Sequence, residues 1–192
     1  MRKAVLTRKT NETHVHIKIE LDQKAASKIN TGIGFFDHML ELFAFRANIT
    51  LVMECKGDLH IDGHHSVEDV GIVLGQAIGQ ALGDKAGIAR YGQALIPMDE
   101  SLASCALDIS GRPFLIFNAD LPAGRVGDFD VELAEEFFRA LCSHSGMTLH
   151  INLLYGKNNH HMLEAIFKAF GCAFKDAIKI SGDAVASTKG VL

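Results

Sequence analysis

The chain has 192 residues, 48% apolar and 22% charged, with a formal net charge of −4 and an isoelectric point near 6.2. A mean hydropathy of +0.15 excludes a disordered chain and suits one compact unit, or two halves sharing a core. The mild acidity excludes a general nucleic-acid binder, though not a local basic pocket for an anionic small molecule.

The opening residues, MRKAVLTRKT, carry charge but no apolar core, so no secretory signal is expected. From Glu12, ETHVHIKIEL alternates as a strand with one wet face. FFDHMLELFAFRANITLVME predicts a helix over Phe36 to Phe45 and a strand around Ile49 to Met53. A further strand is expected before a long helix from about Ser66 to Leu82, which GDKAG (Gly83 to Gly87) stops. The chain then crosses to its second half around Arg90 to Pro97, and ESLASCALDI predicts a strand from Glu100. VELAEEFFRALCSHSGMTLHINL predicts helix then strand, and a closing helix runs from about Met162 to Ile178. No run reaches the roughly 18 apolar residues of a membrane span. Cys55, Cys105, Cys142 and Cys172 form no CxxC pair, which suits reduced thiols in the cytoplasm.

The chain repeats itself. HHSVE (His64 to Glu68) recurs as HHMLE (His160 to Glu164). Eleven residues after each first histidine stands a glycine, Gly75 and Gly171, and alanines follow at matched offsets, Ala77 and Ala81 against Ala173 and Ala177. Aligning Thr50 with Thr148 places His38 opposite Glu136, and the second half carries about ten extra residues around SGRPFLIFNADLP. The expected architecture is one compact α/β (α+β) unit built by duplication, with residues 1–94 and 95–192 as its halves.

Two HHxxE segments have a definite geometry at a helix start. Positions i and i+4 share a face, so His64 with Glu68, and His160 with Glu164, can each grip one metal ion. His65 and His161 are rotated by about 100° and point elsewhere. Pseudo-two-fold symmetry then suggests a cross-over. One ion takes His160 and Glu164 with His65 and His38; the other takes His64 and Glu68 with His161 and Glu136. Imidazole and carboxylate donors without thiolate favour a six-coordinate ion such as manganese(II) or iron(II) over a closed zinc site. A single His-His pair is usually a surface accident, but two pairs at matched offsets are not explained that way. The other histidines read as structural. His14 and His16 share a solvated strand face, His60 precedes a turn, His144 suits a helix end, and His150 lies on a strand.

These residues resemble the imidazoleglycerol-phosphate dehydratase family of histidine biosynthesis. The motifs are NTGIGFFDHML (Asn30 to Leu40), DGHHSVEDVG (Asp62 to Gly71), RYG (Arg90 to Gly92), IPMDES (Ile96 to Ser101), SGRPF (Ser110 to Phe114), GKNNHHMLEAIFKAF (Gly156 to Phe170) and STKGVL (Ser187 to Leu192). The resemblance implies a duplicated fold like domain 2 of ribosomal protein S5, with two sheets and packed helices. It implies a hydro-lyase that converts D-erythro-imidazole-glycerol phosphate to imidazole acetol phosphate and water. Two Mn2+ ions per active site, or other divalent transition metals, would hold the substrate ring as imidazolate and allow a diazafulvene-like intermediate.

Carried over residue by residue, His38, His65, His160 and Glu164 resemble one metal set. His64, Glu68 and His161 resemble the other, with Glu136 where many relatives have histidine. Glu12 matches the family's proton-handling glutamate, and Glu68 and Glu164 are further acid/base candidates. Arg90, Arg112, Lys168, Ser187, Thr188 and Lys189 match the substrate's phosphate contacts. The resemblance also implies a cytoplasmic homo-oligomer, an octahedral shell of trimers with shared active sites and no nucleic-acid or membrane partner. Many relatives carry a fused phosphatase; at 192 residues this chain is expected to dehydrate only. A different di-metal hydrolase would not need Glu12 or the phosphate-binding tail. Metal storage would show ExxH motifs on four long helices.

Overall fold

The structure is a computed structural model that describes all 192 residues. The first half runs β1 (Lys3–Lys9), β2 (Thr13–Glu20), β3 (Lys28–Asn30), α1 (Gly34–Ala47), β4 (Thr50–Gly57) and α2 (His64–Leu82). The second runs β5 (Ala86–Ile88), β6 (Tyr91–Met98), β7 (Ser101–Asp108), β8 (Phe114–Asn118), β9 (Arg125–Val126), β10 (Phe129–Asp130), α3 (Leu133–Ser145), β11 (Thr148–Tyr155), α4 (Asn159–Ile178) and β12 (Ile180–Val185).

Two four-stranded sheets, ordered β1-β2-β4-β3 and β6-β7-β11-β8, carry the duplication. In each, the first three strands are antiparallel and the last lies parallel to its neighbour. The alternation in THVHIKIE is the cause in miniature: Val15, Ile17 and Ile19 face inward while His14, His16 and Lys18 face solvent. The buried faces of both sheets close on a helical layer. α2 packs on β1 and β2, α4 on β6 and β7.

The helices exchange partners between halves. α1 lies against α4, and α2 against α3. Phenylalanines fill the space between them. Phe43 stacks on Phe170 at 4.8 Å, Phe137 on Phe167 at 5.6 Å, and Phe36 meets Phe137 edge-on at 5.3 Å. The repeated glycines allow the close approach. A Cβ on Gly75 would stand 2.6 Å from the Leu141 carbonyl oxygen, and one on Gly171 2.8 Å from that of Phe43. Ala77, Ala81, Ala173 and Ala177 are buried in the same layer.

Three expectations need correction. No second strand follows β4, because DLHIDG turns instead: Ile61 N–H donates to the Asp58 carbonyl at 2.8 Å, and the Asp62 carboxylate accepts from His64 N–H at 2.8 Å. The crossing segment around Arg90 to Pro97 is itself largely a strand, β6, paired along β7; the 94/95 division falls inside it. The residues counted as an insertion include β8, the counterpart of β3, so the true addition is the small β9–β10 hairpin. A three-residue β3 has too few side chains to show a period, which hid the correspondence.

Candidate active site

Helices α1 and α4 bring one donor set together. α4 is capped by Asn158, whose side chain accepts from His160 N–H and His161 N–H. That cap sets the phase of the helix, so His160 and Glu164, one turn apart, share the face toward α1. His38 and His160 donate from Nε2 to the same Glu164 oxygen at 3.1 and 3.0 Å. The ligand atoms of all three lie within 4.8 Å of one another. Glu164 is only 7% exposed, and Lys168 on the next turn donates to its other oxygen. Burial alone would raise the Glu164 pKa; hydrogen bonds from Lys168, His38 and His160 outweigh it and hold it at about 2. The site therefore contains a fixed anion with two imidazoles aimed at it.

Helices α2 and α3 place the repeat-equivalent residues on a more open surface. His64 and Glu136 line a groove of about 510 Å³ whose other wall includes Arg125 and Asp130 of the β9–β10 hairpin. Glu68 is exposed one turn beyond His64. Glu136 lies 3.5 Å from Arg139 Nε. No trio of donors here is drawn as close as the one on α1 and α4.

The second histidine of each pair faces away from the first. The ring planes of His64 and His65 differ by 83°, and those of His160 and His161 by 81°. His65 Nδ1 lies 3.0 and 3.2 Å from the two Asp58 oxygens and 3.9 Å from Glu12. His161 Nδ1 lies 2.7 Å from Glu100, with Asp99 3.7 Å from its Nε2. The single chain therefore joins His38 to His160 and Glu164 but leaves His65 and His161 on separate acidic turns. These carboxylates raise the pKa of both imidazoles. In return, the His65 hydrogen bond lowers the Asp58 pKa, and the His161 hydrogen bond leads those that lower Glu100 to about 2. Sequence reasoning missed Asp58 and Glu100, although Glu100 was visible as the repeat partner of Glu12.

The cations form a separate group. Arg90, at φ 72°, donates from Nε and Nη2 to both oxygens of Asp108 at 2.7 and 3.0 Å. Its Nη1 reaches the Ala186 carbonyl at 2.8 Å. Arg112 Nη2 lies 3.6 Å from the same aspartate and is largely exposed. Ser187, Thr188 and Lys189 follow Ala186 directly in a turn, where Ser187 Oγ accepts from Lys189 N–H at 3.2 Å. Asp108, the residue that joins the arginines, was not predicted. Lys168 stands apart from them, beside Glu164. Among the remaining histidines, His14, His16, His60 and His150 are exposed, and His144 Nδ1 donates to the Ala140 carbonyl within α3.

Residues 31–174 match the family profile described as imidazoleglycerol-phosphate dehydratase. The chain is 55% identical to the imidazoleglycerol-phosphate dehydratase of Listeria monocytogenes serotype 4b over 194 residues, covering all of both chains. It is 54% identical to that of Oceanobacillus iheyensis, again over both full lengths. The crystal structure of the Staphylococcus aureus imidazoleglycerol-phosphate dehydratase superposes with a TM-score of 0.85 at 46% identity, covering 93% of this chain and 99% of that one. The Pyrococcus furiosus structure gives a TM-score of 0.85 at 36% identity, covering 97% and 100%.

Proposed function

The chain belongs to the imidazoleglycerol-phosphate dehydratase family, and from that premise we propose that it removes water from D-erythro-imidazole-glycerol phosphate to give imidazole acetol phosphate. Family members are hydro-lyases of histidine biosynthesis. The observation that carries the reading in this chain is the convergence of His38, His160 and Glu164.

Those donors suit manganese(II) or a similar six-coordinate divalent ion: imidazole and carboxylate, no thiolate, and room for further ligands. His38, His160 and Glu164 would hold one ion, completed by His65 of the partner subunit. His64, Glu68 and Glu136 would hold the other, completed by His161 of the partner subunit. The support for a homo-oligomer with shared sites, in the form of trimers assembled into an octahedral shell, is that one chain leaves His65 and His161 apart from the trio His38, His160 and Glu164. A pair of such ions, when bound, would supply Lewis acidity to the substrate's imidazole ring and so favour loss of the neighbouring hydroxyl.

The protein's residues do the rest. Loss of hydroxide makes the next carbon–hydrogen bond acidic, and Glu12 takes that proton. Glu68 is the further carboxylate available to return protons, while Glu164, held as an anion by Lys168, His38 and His160, serves as a ligand. Arg90 spends part of its guanidinium on Asp108 and Ala186 and keeps N–H groups on both terminal nitrogens for the phosphate. Arg112, Ser187, Thr188 and Lys189 complete the phosphate contacts, while Lys168, apart from them, holds Glu164. The four free cysteines suit a cytoplasmic setting, and no helix is long and apolar enough to cross a membrane.

The test incubates purified protein with imidazole-glycerol phosphate and manganese(II), with and without a chelator, and follows the enolisable ketone. Turnover that the chelator abolishes is expected. Turnover unaffected by chelation, or no ketone in the presence of manganese, overturns the reading.

A further inference from the structure

We propose that Asp58 and Glu100 are positioning residues, each holding Nδ1 of the second histidine of its pair so that Nε2 of His65 and of His161 is left bare to bind a metal ion. The inference rests on the metal role proposed above for those two histidines and adds the groups that prepare them.

A neutral imidazole carries one proton, on Nδ1 or Nε2, and only the bare nitrogen can ligate. A carboxylate against Nδ1 keeps the proton there. His65 has Asp58 in that position, at 3.0 and 3.2 Å, and His161 has Glu100, at 2.7 Å, while Asp99, 3.7 Å from His161 Nε2, lies beyond hydrogen-bond reach. Carboxylate–histidine pairs of this kind orient metal ligands and raise their basicity.

The two copies reach the same end by different residues. Glu100 stands in the turn just before β7, as Glu12 stands just before β2. In the second half that turn glutamate holds the histidine. In the first half Asp58, from the turn after β4, holds it instead, and Glu12 stands back at 3.9 Å. Asp58 thus releases Glu12 from a positioning role, which leaves it free for the proton transfer assigned to it. Only the first half has a spare glutamate at this turn.

The surroundings of the two carboxylates differ in a way that can be tested. Glu100 Oε1 is fixed by the N–H groups of Lys157 (3.2 Å) and Asn158 (2.9 Å) and by the Ser101 hydroxyl (3.1 Å), so only Oε2 faces His161. In Glu100→Gln the amide oxygen must stay with those donors. The amide NH2 then meets Nδ1, the proton moves to Nε2, and ligation must first displace it. Asp58 presents both oxygens to Nδ1, so Asp58→Asn can turn its carbonyl to His65 and preserve the tautomer.

The experiment is equilibrium dialysis of the full-length protein against manganese(II), with bound metal measured by atomic emission. It is paired with nitrogen-15 spectra of histidine-labelled, metal-free protein and with an unfolding curve for each variant. Glu100→Gln and Asp58→Ala are expected to bind manganese about 10–100-fold more weakly, while Asp58→Asn stays close to wild type. One histidine resonance should change from Nδ1-protonated to Nε2-protonated in Glu100→Gln. Unchanged affinity and tautomer in Glu100→Gln, or equal losses in Asp58→Asn and Asp58→Ala, overturn the proposal while the wild type still binds manganese. A wild type that takes up no manganese overturns the metal reading itself, and this proposal with it.

Discussion

The α1–α4 pair and the α2–α3 pair stand on one repeated frame, yet they present different chemistry. On α1–α4, two imidazoles meet a buried carboxylate that Lys168 also holds. On α2–α3, the position of His38 is taken by Glu136, Glu68 is exposed, and a groove remains open beside His64. Duplication therefore preserved the backbone placement of three donors while their packing and charge diverged. The donors of the first pair meet within the chain, and those of the second do not.

The largest difference between the pairs should appear on removing their carboxylates. Glu164→Gln is expected to cut turnover by at least about 10–100-fold, the range for disturbing a metal site, and also to leave Lys168 without its partner. Steady-state kinetics and an unfolding curve read both effects. Glu68→Gln should cost activity as well, but its exposed side chain predicts little change in stability.

The glycines test the frame itself. Gly171→Ala puts a methyl group 2.8 Å from the Phe43 carbonyl oxygen, and Gly75→Ala puts one 2.6 Å from that of Leu141. Each is expected to destabilise the fold by about 1–3 kcal/mol through overpacking, measured by denaturant unfolding. Only Gly171→Ala should also weaken metal uptake at His38 and Glu164, because it pushes α1 away from α4.

Glu136→His makes the two donor sets alike. Metal content should be retained, with a steeper loss of metal on acidification, since another imidazole must shed its proton to ligate. Unchanged metal content and pH dependence in both Glu136→His and Glu136→Ala would remove Glu136 from the set.

The smallest effect concerns acid. Glu164 sits at about 2 in the folded chain against an ordinary 4.5. A depressed carboxylate stabilises the fold above about pH 4.5, and that contribution disappears as the pH falls toward about 2. In metal-free protein, Glu164→Gln should therefore lose less stability over that window than the wild type does.

What could be read beforehand followed from spacing. His64 with Glu68, His160 with Glu164, and the glycines at matched offsets are local patterns, and helical geometry converts them directly into shared faces. The placement of His38 opposite Glu136 came from aligning Thr50 with Thr148, and the structure puts both on equivalent helices. Asp58 and Asp108 carried no such signal. Each matters because a turn brings it to a distant histidine or arginine, and a lone aspartate in a turn looks like ordinary turn chemistry. β6 was mistaken for a connection because its role depends on β7 lying beside it.

The exchange of helices has a consequence for heat resistance. His38 and Glu164 are separated by 126 positions, so any ion they grip would rivet the front of the polypeptide to its back across both ancestral copies. Bound only by the folded form, such a rivet would raise the melting temperature with the logarithm of free ion concentration. The enzyme's endurance would then follow the metal supply of its surroundings.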